Sequence, residues 1–589
     1  MKKYSLLLLL VAIVSILNAQ VSITGTISAS QTWTKNNIYT LKGGFVYVTN
    51  NAEITIEAGT VIKGDGTALV ITRGSKLIAK GTATEPIVFT SSKDAGKRAA
   101  GDWGGIALLG KAPINVVGGE ASIEGGPDKN IAKYGGTDAN DNSGILEYVR
   151  IEFAGIAFQP DNETNSLTMG GVGAATTIRN VQTSFGGDDA FEWFGGNVNG
   201  KHLVAYKTLD DMFDTDFGYT GKNQFLLGIS DPNVADISGS NGFESDNDKD
   251  GTSATPITDA TFMNVTLAGP KVFAATINTN YKRGAHIRKS SKQDVQNSII
   301  TGFPTAFRPE TANSINAYLA NELKFDGNIF DVSKVDSTSA NLQTISTKFK
   351  ANNTFVAPTT IFTAAAANNF LPIAGSEATK GANFTGADAF FEATTYRGAF
   401  GTKNWTSCWA EFDPNNADYS KAINNAVTGD FTATTTFGKV AVAATSPVAG
   451  ATYAWDFGAT GASANATFTS VGSKTIVLTI TSPRGCETKV TKTVNIISAV
   501  QDIEALQSIA VFPNPVASNM TVSINLADAK NLKMNIQNVV GQTVIQNNMN
   551  LNAGNNTIEI ATETLQNGTY FLQLSDMVGT KTVKFVVNK

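Results

Sequence analysis

"DDAFEWFGG" (Asp188–Gly196) and "DDMFDTDFG" (Asp210–Gly218) stand 22 residues apart. In both, two aspartates lead into alternating aromatic and acidic residues closed by glycine. A pattern that returns at a short fixed interval is the mark of a coil stacking on itself. Outward from this pair the spacing recurs. Gly59 in "EAGTVIKG" and Gly81 in "AKGTATEP" are again 22 apart, each after a short alternating strand. "YVRIEFAG" from Tyr148, "NVQTSFGG" from Asn180 and "NVTLAG" from Asn264 are variants of one strand-and-glycine unit. Helical periodicity over ten or more residues is almost absent. The expectation is an all-β chain whose main body, residues 20–423, is a right-handed parallel β-helix. Its regular coils are placed at about 40–310, with 21–39 capping the start and 311–420 completing and capping the end. Three Gly-, Asn- and Asp-rich stretches, 112–143, 156–170 and 231–258, break the period and are expected to project from one side as loops.

Stacking sets Asp188 over Asp210, Asp189 over Asp211 and Glu192 over Asp214, on rungs about 4.8 Å apart. Phe191 over Phe213 is the inward pair, which turns Glu192 and Asp214 outward. Two carboxylates at that distance repel by about 3 kcal/mol at an effective dielectric near 20. Such pairs need turn N–H donors, raised pKa values or a cation. Three roles fit: acceptors for glycine-rich turns, ligands for calcium, or paired catalytic acids, which glycosidases hold about 5–9.5 Å apart. For catalysis, "KRGAHIRKS" offers Arg283, His286 and Arg288 as base or substrate clamp, but spacing does not align them with the acids. A Gly-His-Gly element of the polygalacturonase kind is absent. Trp193 and Phe194 are candidate platforms for sugar rings, although Trp193 shares the inward parity of Phe191. A turn or ion ladder is favoured over an active site. A second acidic motif, "DNDKDG", alternates Asp246, Asp248 and Asp250 before Gly251, as a calcium loop does, with Glu244 or Asp259 to complete the shell. Ile257 stands where an EF-hand needs glutamate, so this is not an EF-hand.

The N-terminus reads as a secretory signal peptide, residues 1–19. Lys2 and Lys3 precede the apolar run Leu6–Leu17, and the cut falls between Ala19 and Gln20. No cysteine follows the run, which excludes a lipoprotein anchor, and no later segment has the roughly 18 apolar residues of a spanning helix. Charged residues are 16% of the chain and the net charge is -5, without a long basic run, which argues against a nucleic-acid partner. Cys408 and Cys486 fall in segments assigned to different modules and are read as two unpaired buried thiols.

Two smaller β modules follow. Residues 424–497 hold "YAWDFGATG" and the alternating Ile476, Leu478 and Ile480. This segment resembles the PKD family of immunoglobulin-like domains, whose turn is Trp-Asp-Phe-Gly-Asp-Gly. Trp455, Asp456, Phe457 and Gly458 match, and Ala459 replaces the second aspartate. After a linker at 498–507, residues 508–589 carry Phe512-Pro513-Asn514-Pro515, then Gly541, Gly568, Tyr570 and a terminal "TVKFVVNK". Pro513 and Pro515 donate no ladder hydrogen bond and are expected to fix the extended edge where the domain begins. The ordered set resembles the type A C-terminal sorting domain of the Bacteroidetes type IX secretion system. That resemblance implies export through the type IX translocon, removal of the domain, and release or attachment to surface lipopolysaccharide.

The combined expectation is a secreted or cell-surface protein, adhesive or polysaccharide-binding, without turnover. The alternatives are a β-helix polysaccharide lyase or glycoside hydrolase acting through the acids at 188–216, and a structural surface component. Calcium is the one cofactor the acids suggest.

Overall fold

Leu167, Phe191, Phe213, Phe243, Ala285 and Phe307 occupy one register position on six successive parallel strands, all facing inward and all buried. Ring centroids of Phe191 and Phe213 are 5.7 Å apart and those of Phe213 and Phe243 5.6 Å. Burying each such ring is worth about 1.5–3 kcal/mol, and a one-residue slip would expose the whole column. In this computed structural model residues 19–159, 162–337, 339–436, 438–496, 502–576 and 579–589 are described. The leader up to Asn18 and linker residues 498–501 lie outside the described residues.

The column belongs to a parallel β-helix. It begins earlier than the sequence suggests. Ala19–Ile27 is no cap but the first coil, paired in parallel with Asn37–Val48, which pairs in turn with Val61–Ile71. Rungs continue through Ile329–Phe330 to Thr354–Phe355. The downstream end is closed by two helices, α1 (Ala312–Leu319) and α2 (Leu342–Asn352). Tyr318 and Phe349 pack on Phe307, the last member of the inward column.

At one corner of the coil successive rungs carry Tyr148, Asn180, His202, Phe225, Asn264 and Asn297 with φ of 50–62°. Asparagine tolerates this left-handed region; tyrosine, histidine and phenylalanine are strained there. A cover offsets the strain. Residues 380–425 do not cap the end of the stack; they run back along its side as a strap. Asn383 exchanges two hydrogen bonds with Asn297, Glu392 two with Gln224, and Glu411 two with Gln182. Tyr396 packs on Phe225, Trp405 on His202 and Trp409 on Tyr148. Further back Arg98 donates to Pro414 and Ala417, and Ile423 N–H donates to Gly59. Cys408, on the strap, is disulfide-bonded to Cys486. This corrects the reading of two free thiols: the turn 482–487 belongs with the β-helix unit, a relation that module boundaries in sequence conceal.

In the second unit, residues 428–481 and 488–589, two three-stranded antiparallel sheets make the first module. Trp455 is buried there and its Nε1 donates to Gly461 O. The C-terminal module sets a three-stranded against a four-stranded antiparallel sheet around Met520, Val522, Ile536, Leu572, Leu574 and Phe585. Ile503 is buried in this core and the strand Leu506–Phe512 precedes the prolines. The linker is therefore shorter than 498–507, and Pro513 and Pro515 end an edge strand rather than begin one. Gly541 closes the turn from Asn538 with φ of 82°, Gly568 starts the strand Gly568–Ser575, and Tyr570 is buried within it. Among the described residues no helix is long and apolar enough to cross a membrane.

Candidate functional site: the acid face

The 22-residue pairing holds: Phe191 lies opposite Phe213 and Glu192 opposite Asp214. The outward column continues through Glu244, His286 and Arg308, so the face runs from acidic to basic along the stack. It is not open. The 112–143 insertion folds back over it instead of projecting, burying Ile114, Ile123, Ala132 and Tyr134 against Phe194 and its neighbours. Asn115 Nδ2 ties this insertion to Asn247 O of the 231–258 loop at 2.7 Å. Trp193 is 1% exposed and Phe194 6%, so neither presents a face to a sugar. Trp193 stacks on Tyr219 inside the coil, and Phe194 sits under Tyr134. The expected aromatic platforms are thus packing residues, one inside the coil and one beneath the insertion.

The aspartates divide by role. Asn165 Oδ1 accepts the Asp189 N–H at 3.2 Å, Asp189 Oδ1 accepts the Asp211 N–H at 2.8 Å, and Asp211 Oδ1 accepts the Asn241 N–H. Each side chain of this column ties the backbone of the next rung, the turn role of a short acid or amide. Asp210 accepts from Ser238 at 2.9 Å, while the backbone carbonyl of Asp188 accepts from Thr208. Glu192 accepts from Asn165 Nδ2, and Glu124, from the covering insertion, lies against it. Ligand atoms of Asp189, Glu192 and Asp214 lie within 4.8 Å of one another, as do those of Asp188, Asp189 and Asp210. Burial, followed by the neighbouring carboxylates, pushes Asp188, Asp189, Glu192, Asp211 and Asp214 well above the usual carboxylate range. Burial brings Asp210 and Asp216 to about 7. At neutral pH the cluster is a place for shared protons or a cation, with Oδ1 of Asp214 buried and unpartnered.

Downstream the bases are already spoken for. Arg288 pairs with Glu244 and, through Nε at 2.7 Å, with Asp246. His286 has Glu244 at 3.5 Å and Glu310 at 2.5 Å. Arg283 faces Asp336 at 3.6 Å, which Arg308 also binds. Burial raises the Glu244 pKa, but the His286 hydrogen bond and the Arg288 charge outweigh it and the net shift is downward.

The "DNDKDG" carboxylates do not converge, contrary to the calcium-loop expectation. Asp246 is held by Arg288 and Lys289, Asp248 accepts from the backbone of Asp250 and Thr252, and Asp250 pairs with exposed Lys249. The alternation that suggested ligands is the geometry of a side-chain-capped turn. Glu124, Asn165 and Asn241 were missed as site residues. Only the amide type at 165 and 241 hinted at them, because insertions hide their register.

Residues 25–409 match the model of the pectate-lyase-like β-helix domain, and residues 510–588 that of the secretion system C-terminal sorting domain. No curated protein matches the chain. Among solved structures, dimeric latent PorU from Porphyromonas gingivalis is 15% identical over 26% of this chain and 18% of that one, with a TM-score of 0.13. The enzymatically active domain of tailspike protein 2 from bacteriophage CBA120 is 10% identical over 97% of this chain and 72% of that one, with a TM-score of 0.22. The chain therefore spans less than a fifth of the first of these structures.

Proposed function

The chain belongs to the pectate-lyase-like β-helix family, and from that premise we propose that it is a surface-displayed polysaccharide-binding protein without turnover. The observation that carries this reading is the state of the acid face. Glu124 of the 112–143 insertion lies against Glu192, Ser238 binds Asp210, the remaining acids are buried or half-buried, and Arg283, His286 and Arg288 are each paired with Asp336, Glu244, Glu310 or Asp246. General acid–base chemistry needs a group within reach of substrate and free to move a proton. The sorting-domain match supports export by the type IX route, with the translocon as partner; release, or attachment to surface lipopolysaccharide, belongs to this reading as its last step. The Trp455–Gly458 turn supports a PKD-like spacer between the two. A divalent cation such as calcium fits the Asp189, Glu192 and Asp214 trio better than the Asp246–Asp250 turn.

The test is a polysaccharide panel, acidic and neutral, run for both retention and products. Retention on a glycan column without new reducing or unsaturated ends is expected. Turnover that Asp188→Asn or Asp210→Asn abolishes, with the fold intact by circular dichroism, would make the chain a lyase or hydrolase instead.

A further inference from the structure

A cavity of about 640 Å³ opens between strap residues 395–402 and the hairpin that pairs Phe362–Ala364 with Asn369–Pro372. It lies wholly within the β-helix unit, and small-ligand sites span roughly 300–1,000 Å³. Leu371, Pro372 and Tyr396 line it, and no charged side chain does. Tyr396 is held from three sides. Its carbonyl accepts from Asn264 Nδ2 at 3.0 Å, and its ring packs on Phe225 with centroids 6.4 Å apart. The ring also lies so close over Gly401 that a methyl group there would come within 2.7 Å of it. A ring fixed in this way is a ready platform, since little freedom is lost when a ligand settles on it.

The polar groups of the wall are unspent. Asn369 Oδ1 accepts the Leu371 N–H at 3.2 Å, which orients the amide and leaves its Nδ2 free. Among the described residues, that Nδ2 and the hydroxyls of Thr395, Tyr396 and Thr402 make no hydrogen bond within the chain. These features narrow the occupant. A charged ligand would give up its water and find no counter-charge. A purely apolar one would strip water from the amide and the hydroxyls and leave them unmatched. A neutral sugar meets both demands, with a C–H face for Tyr396 and Leu371 and a hydroxyl edge for Asn369 and the threonines.

We propose that this cavity binds a neutral pyranose segment of the polysaccharide, stacked on Tyr396 with its hydroxyls toward Asn369 and Thr402. The site, which rests on the polysaccharide-binding reading, sits at the strap and not on the acid face. Binding is tested on the full chain by calorimetry and thermal melts. Cellotriose, maltotriose and mannotriose are the probes, with trigalacturonate and n-hexanol as controls. At least one neutral trisaccharide should bind and raise the melting temperature, with trigalacturonate and hexanol at least tenfold weaker. Tyr396→Ala should abolish the effect. Because Tyr396 also packs the strap, Thr402→Trp is the second variant: Thr402 is exposed, and an indole there blocks the cavity. It should weaken the trisaccharide at least tenfold while leaving the unliganded melt in place. No binding of any neutral trisaccharide, a control as tight as the best of them, or binding indifferent to Thr402→Trp would each overturn the proposal. Column retention of a polysaccharide that survives Thr402→Trp would sink this site and leave the polysaccharide reading standing. Trisaccharide binding without retention of any polymer would do the reverse.

Discussion

Asp214 and Glu244 are neighbours in one register column of the acid face, yet their electrostatics are opposite. Upstream, burial first and then neighbouring carboxylates, Glu124 and Asp214 at Glu192, Glu244 and Asp246 at Asp214, raise the pKa values of Glu192 and Asp214. One rung downstream, Glu244 meets Arg288 and His286, and its pKa falls. The number of carboxylates does not set the behaviour of a buried acid; the partner supplied by the next rung does. The upstream end stores repulsion that protons or a cation must relieve, whereas the downstream end is a finished ion-pair network.

The hardest way to break that contrast is to remove the cation at its centre. Arg288→Met leaves largely buried Glu244 with only His286 and Asp246 with only Lys289, and should cost about 3 kcal/mol of unfolding free energy. Urea denaturation at pH 7 checks it; a loss within error would mean that the network adds nothing.

A pH scan separates the two ends without mutation. Asp210 and Asp216 titrate near 7 in the folded chain because burial disfavours their charge. Their folded values exceed the unfolded one, about 4, so the folded state binds the proton more tightly. Their stabilisation is complete below about pH 4 and is lost as pH rises through 7. Glu244 runs the other way: its contribution is present above the unfolded value and is lost as pH falls through its lowered folded one. In chelator, melting temperatures should drop between pH 4 and 7, and Asp216→Asn should flatten the drop. An unchanged slope in that variant would remove Asp216 from the account.

The smallest expected effect sharpens the contrast at its margin. Asp250 pairs with Lys249 in solvent, where such pairs are worth about 0–1 kcal/mol. Asp250→Asn should leave the melt and its response to chelator unchanged. A large destabilisation that calcium reverses would restore the calcium loop.

The stack was legible because Phe191, Glu192 and their counterparts at 213 and 214 repeat the inward–outward alternation at one spacing. Asp189 over Asp211 was legible for the same reason. Asn165 and Asn241, equal members of that column, were not, since insertions shift their spacing to 24 and 30 residues. Burial of Trp193 and Phe194 was half legible: parity placed Trp193 inside, but the cover over Phe194 comes from Tyr134, a turn of chain with no periodicity. Spacing also shows ligand types, as at Asp246–Asp250, but not the Arg288 and Lys289 that claim Asp246 from some forty residues on. The strap left no periodic trace, because it holds on through scattered single contacts: amides such as Gln182 and Gln224, and isolated rings such as Trp405 and Trp409.

That strap has a consequence for the order of events in a cell. Arg98 sits on an early coil, and the carbonyl it grips at Ala417 is made 319 residues later. At about 5–20 residues per second a ribosome needs roughly 15–65 s to deliver it. Throughout that interval the early coils have neighbours but no cover, and the strained corner at Tyr148 waits for Trp409. The early coils are therefore among the last parts of the β-helix to be finished, and it stays unlocked until nearly all of its own sequence has emerged.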